Sequence, residues 1–519
     1  MSTTSADCRA NSRVMALGQP DSYFRLSLRL CGFASWGARV LPALMMTASF
    51  ALAANGPLGF DDARHLLNRT SFAAGPADIE FFAGLTREQA IDRLLSWAGK
   101  PAVIPPPAWI EEPFQSLRRF RGMSPEDRKI ALRELFQQFF ELKSWWLTEM
   151  LVTSSPLTEK MTLFWHNHFV SSHQKVRSPQ LMYRQNVLLR RHALGNFGAL
   201  LHAVARDPAM VIYLDSASNR KGQPNENFAR EVMELFTLGE GNYTERDVKE
   251  AARAFTGWGV DPDRGEFVFR RRAHDDGVKT VLGRTGNLDG DKVLGILLAQ
   301  PQTAELIAAK LWREFVSPEP DPDEVRRIAR VLRESDYEIR PALRAMLTSD
   351  AFYAPANRAV LIKSPVELVV GTLRQFSFTT GEPLPFVLGV ALLGQNLFAP
   401  PNVKGWPGGE MWINSTTLLA RKAFLDRLFR VEEMRAMAEG GGLEPPRIAA
   451  RMADGRQRYL QAMLDVQFDG GEWLARFDGR PHLLPRVILA SAPVTEPPPG
   501  MQGLELIRHL VLDPAYQLK

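Results

Sequence analysis

Polar groups able to do chemistry are concentrated in two segments. Phe164-Trp165-His166-Asn167-His168-Phe169, followed by His173, places three of the nine histidines within eight residues. Asn225-Glu226-Asn227-Phe228-Ala229-Arg230-Glu231-Val232-Met233-Glu234-Leu235 carries three carboxylates, one arginine and two amides. Apolar residues bracket both. A polar group held that close to a core must be paired, metal-bound or at work, because leaving it dry and unsatisfied costs about 1–3 kcal/mol.

On a helix, residues two apart point about 200° apart, so His166 and His168 cannot both ligate one metal from mid-helix. Residues seven apart share a face, as Glu159 does with His166, and His166 with His173 if the helix runs on. A metal therefore takes one histidine plus carboxylates from elsewhere, or a helix that stops near Asn167. The plainer alternative makes one histidine a satisfied core residue and the other a helix C-terminal cap.

At about 100° per residue, Asn227, Glu231, Glu234 and Leu238 form one stripe, with Glu226 and Arg230 beside it. Phe228, Val232, Leu235 and Phe236 cover the other side. The Glu226–Arg230 and Arg230–Glu234 spacings suit a solvated face. The asparagines do not, being poor helix formers but good orienters of a carboxylate or a substrate hydroxyl. Glu231 and Glu234 as near neighbours need a shared proton, a bound cation or Arg230 to hold both. That pattern admits two chemistries, an acid/base pair or an oxygen-rich shell for a divalent metal.

A third element runs from Pro400 to Gly409 and on to Trp412 and Asn414, and includes Lys404 and Trp406. Its glycines permit close backbone approach, and tryptophan beside amides suits either a sugar-binding rim or a plug over a helical core. His274-Asp275-Asp276 reads as turn chemistry. The candidate catalytic residues are thus Glu231, Glu234, His166, His168 and Arg230. Asn225, Glu226, Asn227, Lys404 and Trp406 are the candidate substrate contacts, and any metal ligand set stays undefined. No nucleophile elbow, Walker loop, dinucleotide fingerprint or haem-attachment motif occurs.

The elements that must position these groups are helical. Residues 61–98 read as two or three short helices with Leu66, Leu67, Phe72, Phe81, Phe82, Leu94 and Leu95 as their apolar set. Pro101 to Pro113 is a linker or a surface strap. Ser124-Pro125 and Ser155-Pro156 open long helices, the second bearing the histidines. Pro224 begins the Asn225–Leu238 helix, and Thr244 to Asp247 caps the next. Ser364-Pro365 and Ser415 open later ones. One β-hairpin is expected at 265–283, joining Glu266–Arg270 to Val278–Leu282. Residues 394–414 form an ordered loop, since Phe398, Trp406 and Trp412 need packing.

Bulk properties fit a globular protein, with 45% hydrophobic and 23% charged residues among 519. The net charge of +5 is concentrated early: residues 1–54 hold five arginines against two aspartates. The rest is close to neutral, which argues against a nucleic-acid partner. Residues 1–54 read as an export signal with a long arginine-bearing region, an apolar stretch from Val40 to Ala54 and an Ala51-Leu52-Ala53 cleavage pattern. That stretch is shorter than the roughly 20 residues a spanning helix needs, so no stable transmembrane span is expected after cleavage. Both cysteines, Cys8 and Cys31, lie there, leaving no disulfide or thiolate chemistry in the remainder. Beyond the signal, the expected division is a helical core domain at 55–438 and a C-terminal helical extension at 439–519.

Several motifs together resemble, in order, the bacterial family catalogued as domain of unknown function 1800. They are Leu66 to Phe72, Met161 to Phe169, Asn225 to Gly239, Ala251 to Trp258, Asn402 to Trp412 and the final Asp513-Pro514-Ala515-Tyr516-Gln517. The resemblance implies a mainly α, exported protein, periplasmic or extracellular, often encoded beside a sulfatase-like exported partner and without an assigned activity. The expectation is a multi-helix globular protein of hydrolase-like type, acid/base or metal-assisted, on a polymer such as a polysaccharide. The alternative is a non-catalytic envelope binding or assembly protein whose polar residues form a buried structural network.

Overall fold

Polar side chains start the helices that carry the site. The computed structural model describes residues 56–431, 459 and 461–519. The elements that matter for the site are α1 (Gly59–Thr70), α2 (Pro125–Val152), α3 (Pro156–His168), α4 (Pro179–Arg191), α5 (Asn227–Glu231), α6 (Glu245–Ala254), α7 (Pro301–Phe315), α8 (Pro365–Gln375), α9 (Ser415–Phe429) and α10 (Gly503–Leu512). Ser124 Oγ accepts from the Asp127 amide to open α2, and reciprocal capping boxes open α6 (Thr244 with Asp247) and α8 (Ser364 with Glu367). Ser155 precedes α3 but its hydroxyl pairs with Thr158 Oγ1 at 2.6 Å, and Asn414, not Ser415, caps α9.

The fold is mainly α, with two two-stranded antiparallel sheets among the described residues. Here the expected hairpin needs correcting. β1 (Trp258–Asp261) pairs with β2 (Glu266–Phe269), and β3 (Lys279–Val281) with β4 (Arg284–Gly286), so 266–270 and 278–282 are not partners. Each run finds a nearer partner across a shorter loop. Gly265 at φ +63° completes the first turn, and Leu282 and Gly283, both at positive φ, form a two-residue turn matched to the strand twist.

The segment from Pro101 to Pro113 is a strap over α2. The buried Glu149 carboxylate accepts from the Val103 and Ile104 amides at 2.7 and 2.8 Å, and the Trp145 indole donates to the Ile104 carbonyl at 3.0 Å. Three short helices precede it, whose expected apolar set is buried except for Phe81. Residues 461–519 pack on α8 and α9: Thr372 Oγ1 meets Tyr516 Oη at 2.8 Å, and Gln375 donates to the Val487 carbonyl at 2.8 Å. The export signal at 1–54 and the expected boundary at 438–439 both lie outside the described residues. No helix among the described residues is long and apolar enough to cross a membrane.

Two adjacent residues of α3 fix its rotation. The Glu159 carboxylate receives Arg190 Nε and Nη2 at 2.6 and 2.9 Å and the Trp146 indole at 2.8 Å. Arg190 also donates to Asn186 Oδ1, whose amide meets His166 Nε2 at 3.0 Å. All of these side chains are buried. Lys160, about 100° further round, pairs instead with buried Glu367 of α8. The Glu159 stripe therefore enters the core through His166, while the Lys160 stripe, Leu163, Phe164 and Asn167, faces outward into a cleft. Removing one partner of a buried, hydrogen-bonded ion pair strands the other. Glu159→Gln should thus lower unfolding stability by about 3–5 kcal/mol in urea titrations, and Glu159→Leu with Arg190→Met should cost less than either single change. A neutral Glu159→Gln would contradict the role given to this pair.

Candidate functional site

The α3 stripe forms one wall of a cleft with a volume of about 610 Å³. α7 supplies the opposite wall through Lys310, Arg313 and Glu314, and the 404–412 loop closes one side with Lys404, Glu410 and Trp412. Gly405 is required where that loop meets α3. Its φ is +91°, and a Cβ there would lie 2.2 Å from Asn167 Oδ1, the atom that accepts the Trp406 amide at 2.6 Å.

The cleft's charges divide into two groups. On the floor, Lys160 and Lys519 both pair with Glu367, and Glu314 lies 4.0 and 3.7 Å from the same two ammoniums. Burial raises the Glu367 carboxyl, but the two lysines outweigh it and hold it below the usual carboxylate range. These four charges cancel. On α7 they do not. Lys310 Nζ donates to His168 Nδ1 and to the Leu235 carbonyl, both at 2.9 Å, with no ion-pair partner among the described residues. Its side chain is partly buried and lines the cleft, and burial followed by the Arg313 charge brings it down to about 8. His168 is held neutral, first by burial and then by Lys310. An ammonium donating to Nδ1 leaves the ring proton on Nε2, which has no hydrogen-bond partner.

Of the residues singled out from sequence, His168 and Lys404 line this cleft. His166 lies behind it in the Trp146–Phe398 aromatic surround, pushed down to about 3 by burial and the nearby Arg190. The two sequence segments do meet: the His168 and Phe169 rings pack on Phe236 at 5.8 and 5.1 Å. They meet through apolar faces and Lys310, however, and Glu231 and Glu234 do not line the cleft. Glu231 is half-buried and raised by burial, then by the Glu234 charge, against Arg230 and Lys404. Glu234 accepts from Tyr243 Oη at 2.5 Å. Arg230 makes a two-pronged contact with exposed Glu245 at 2.7 and 2.8 Å and a bond to Glu226 at 3.1 Å. Asn225 and Asn227 bond Ser218 and the Leu214 carbonyl, tying down the preceding loop. Trp406 is buried with its indole N–H unpaired, and it is Trp412 that faces the cleft.

The expected Asn225–Leu238 helix changes character midway. α5 ends at Glu231 and residues Val232–Leu238 form a π-helix, in which Thr237 Oγ1 donates to the Val232 carbonyl at 2.5 Å. The wider turn breaks the stripe drawn at α-helical spacing, so Leu238 is buried instead of aligning with Glu231. Among the described residues, no three His, Cys, Asp or Glu side chains stand close enough to hold a metal ion together. Lys310 and Arg313 were not singled out from sequence. The available signal was a lysine on the edge of the otherwise apolar α7 stripe Ile307, Ala308, Leu311 and Trp312.

Buried titratable groups make stability depend on pH. His65 and His166 are lowered to about 3 and His173 to about 4, each chiefly by burial. The unfolded chain binds protons at these sites below about pH 6.5 and the folded chain does not, so stability falls as pH drops through that range. Each histidine contributes a slope of up to about 1.4 kcal/mol per pH unit. Asp207, raised to about 7 by burial, acts the other way, since its folded form holds a proton between roughly pH 3.8 and 7. Urea unfolding between pH 7 and 5 should show stability declining with acid, less steeply in His166→Gln and more steeply in Asp207→Asn. Stability independent of pH over this window would contradict the assignment.

The sequence model of the family described as "Protein of unknown function (DUF1800)" matches residues 65–480. No curated protein and no solved structure matches the chain. The family match begins within α1 and takes in the α3 and α7 walls of the cleft and the loop that closes it. The chain belongs to the DUF1800 family, a family of unknown function.

Proposed function

We propose that the cleft is the active site of an exported, hydrolase-like enzyme of acid/base type, in which Lys310 and His168 handle the proton. The observation that carries this reading is the Lys310–His168 contact at the cleft wall: an ammonium without a carboxylate, bonded to a neutral imidazole. An amine brought to about 8 changes protonation close to neutral pH, the condition under which proton transfer is efficient in both directions. Glu231, raised chiefly by burial, lies outside the cleft lining and has no proton-transfer role in this proposal. Phe164 and Trp412, both lining the cleft, suit a ring-bearing substrate such as a polysaccharide. Export to the periplasm or outside rests on the leader pattern.

A second reading is a non-catalytic envelope protein assembling with a co-exported, sulfatase-like partner. It is favoured by the fully satisfied Glu159–Arg190–Asn186–His166 network, where a candidate histidine has a structural job. The two readings differ at Lys310. For the enzyme, Lys310 should be acylated by an amine-reactive ester with a midpoint near pH 8, against about 10.4 for exposed lysines, as read by peptide mass spectrometry. A panel of aryl glycosides, esters, sulfates and phosphates should yield turnover that Lys310→Met lowers by about 100-fold or more, with little change in Tm. Turnover retained in Lys310→Met would overturn the role given to Lys310, and none on the whole panel would favour the assembly protein.

A further inference from the structure

Lys310 and Arg313 stand one turn apart on α7 and both face the cleft. Like charges at that spacing repel, more strongly where solvent is restricted. Other arginines at this spacing are provided for: Arg326 pairs with Asp323, and Arg327 with Glu324. Arg313 is exposed toward the cleft and has no ion-pair or hydrogen-bond partner among the described residues. The nearest acid in sequence, Glu314, is already engaged with Lys160 and Lys519 on the floor. Lys310 uses two of its three N–H donors on His168 and Leu235, leaving one for the cleft. On the 404–412 loop, Lys404 has one ion-pair contact among the described residues, 3.7 Å from exposed Glu240, and its charge also reaches Glu231. Asn167 has its Oδ1 occupied by Trp406 and no partner for its amide N–H groups among the described residues. Glu410 is the one lining carboxylate outside the floor cluster.

We infer that the cleft holds an oxyanion of its ligand, a carboxylate, sulfate or phosphate group, between Lys310, Arg313 and Lys404, with the ligand's body against Phe164 and Trp412. This rests on reading the cleft as a ligand site and adds the charge of what it takes. An oxyanion there meets a guanidinium suited to two-pronged contact, an ammonium donor and an amide donor, and it relieves the Lys310–Arg313 repulsion that the protein leaves uncompensated. A neutral ligand does none of this. The group also lies beside the Lys310–His168 contact, so binding an anion raises the proton affinity of Lys310 and keeps it charged while substrate is present.

The test uses the purified protein at low ionic strength with three probes, inorganic sulfate, glucuronate and glucose, followed by calorimetry and by the pH midpoint of Lys310 acylation. Sulfate and glucuronate should bind one per chain, and glucose should not. Arg313→Gln, an exposed change with no internal contact to lose, should weaken both anions by roughly 10-fold. Arg326→Gln should have no effect. In the unliganded protein, Arg313→Gln should move the Lys310 midpoint upward, because a neighbouring positive charge is gone, and sulfate should move the wild-type midpoint upward too. Anion binding that is equal in wild type and Arg313→Gln, or absent altogether, overturns the inference. Glucose binding with a shielded Lys310 and no anion binding would also overturn it, while leaving the cleft as a ligand site intact. Failure of all three probes together with a Lys310 midpoint near that of exposed lysines would remove the cleft reading as well.

Discussion

Two neighbouring charges on one helix pull into different partners, and most of the site follows from that. Glu159 is drawn into the core by Arg190 and Trp146, and Lys160 is drawn toward Glu367 on α8. A helix pinned at two points about 100° apart cannot rotate without breaking one of two buried ion pairs. Everything two turns further along is thereby assigned. His166, seven residues after Glu159, lands beside Asn186 in the dry interior, and Asn167, seven after Lys160, lands in the cleft. The helix ends at His168, whose ring is then set against Lys310 and Phe236.

The same clamp explains why the cleft is charged unevenly. Lys160 needs Glu367, and Glu367 also takes Lys519, with Glu314 close to both lysines. That consumes the acids which could have neutralised α7. Lys310 is left with an imidazole and a carbonyl for company, and Arg313 beside it with no ion-pair partner among the described residues. Glu226, just before α5, and Glu234 of the π-helix are engaged elsewhere, with Arg230 and with Tyr243. A polar segment can be rich in catalytic residue types and still spend most of them on its own local geometry.

Much of the scaffold was legible in the sequence because it is written locally. Ser124, Thr244 and Ser364 sit where hydroxyls satisfy helix-end amides, and those amides lie three residues away in the chain. The packing of Phe398, Trp406 and Trp412 followed from their bulk. What failed to show was anything set by distant partners or by a change of helical period. The Glu231–Glu234–Leu238 stripe assumed an α-helix, and a π-helix redirects it. The single hairpin expected at 265–283 joins runs that belong to two separate hairpins, because strand-forming residues say less about partners than turn geometry does. Lys310 gave almost no signal, since a lysine at the edge of an apolar stripe is ordinarily a solvated flank. Its meaning comes from His168, 142 residues earlier. His166 could be read either as ligand or as core, and only Asn186 and Arg190, from α4, decide for the core.

The most direct test of this account is a crystal structure of the protein grown with selenate as an anomalous scatterer. The account places an anomalous peak in the cleft within contact distance of Lys310 and Arg313, lost in crystals of Arg313→Gln. Peaks confined to the outer surface, with α7's two cations facing an anion-free cleft, would contradict it.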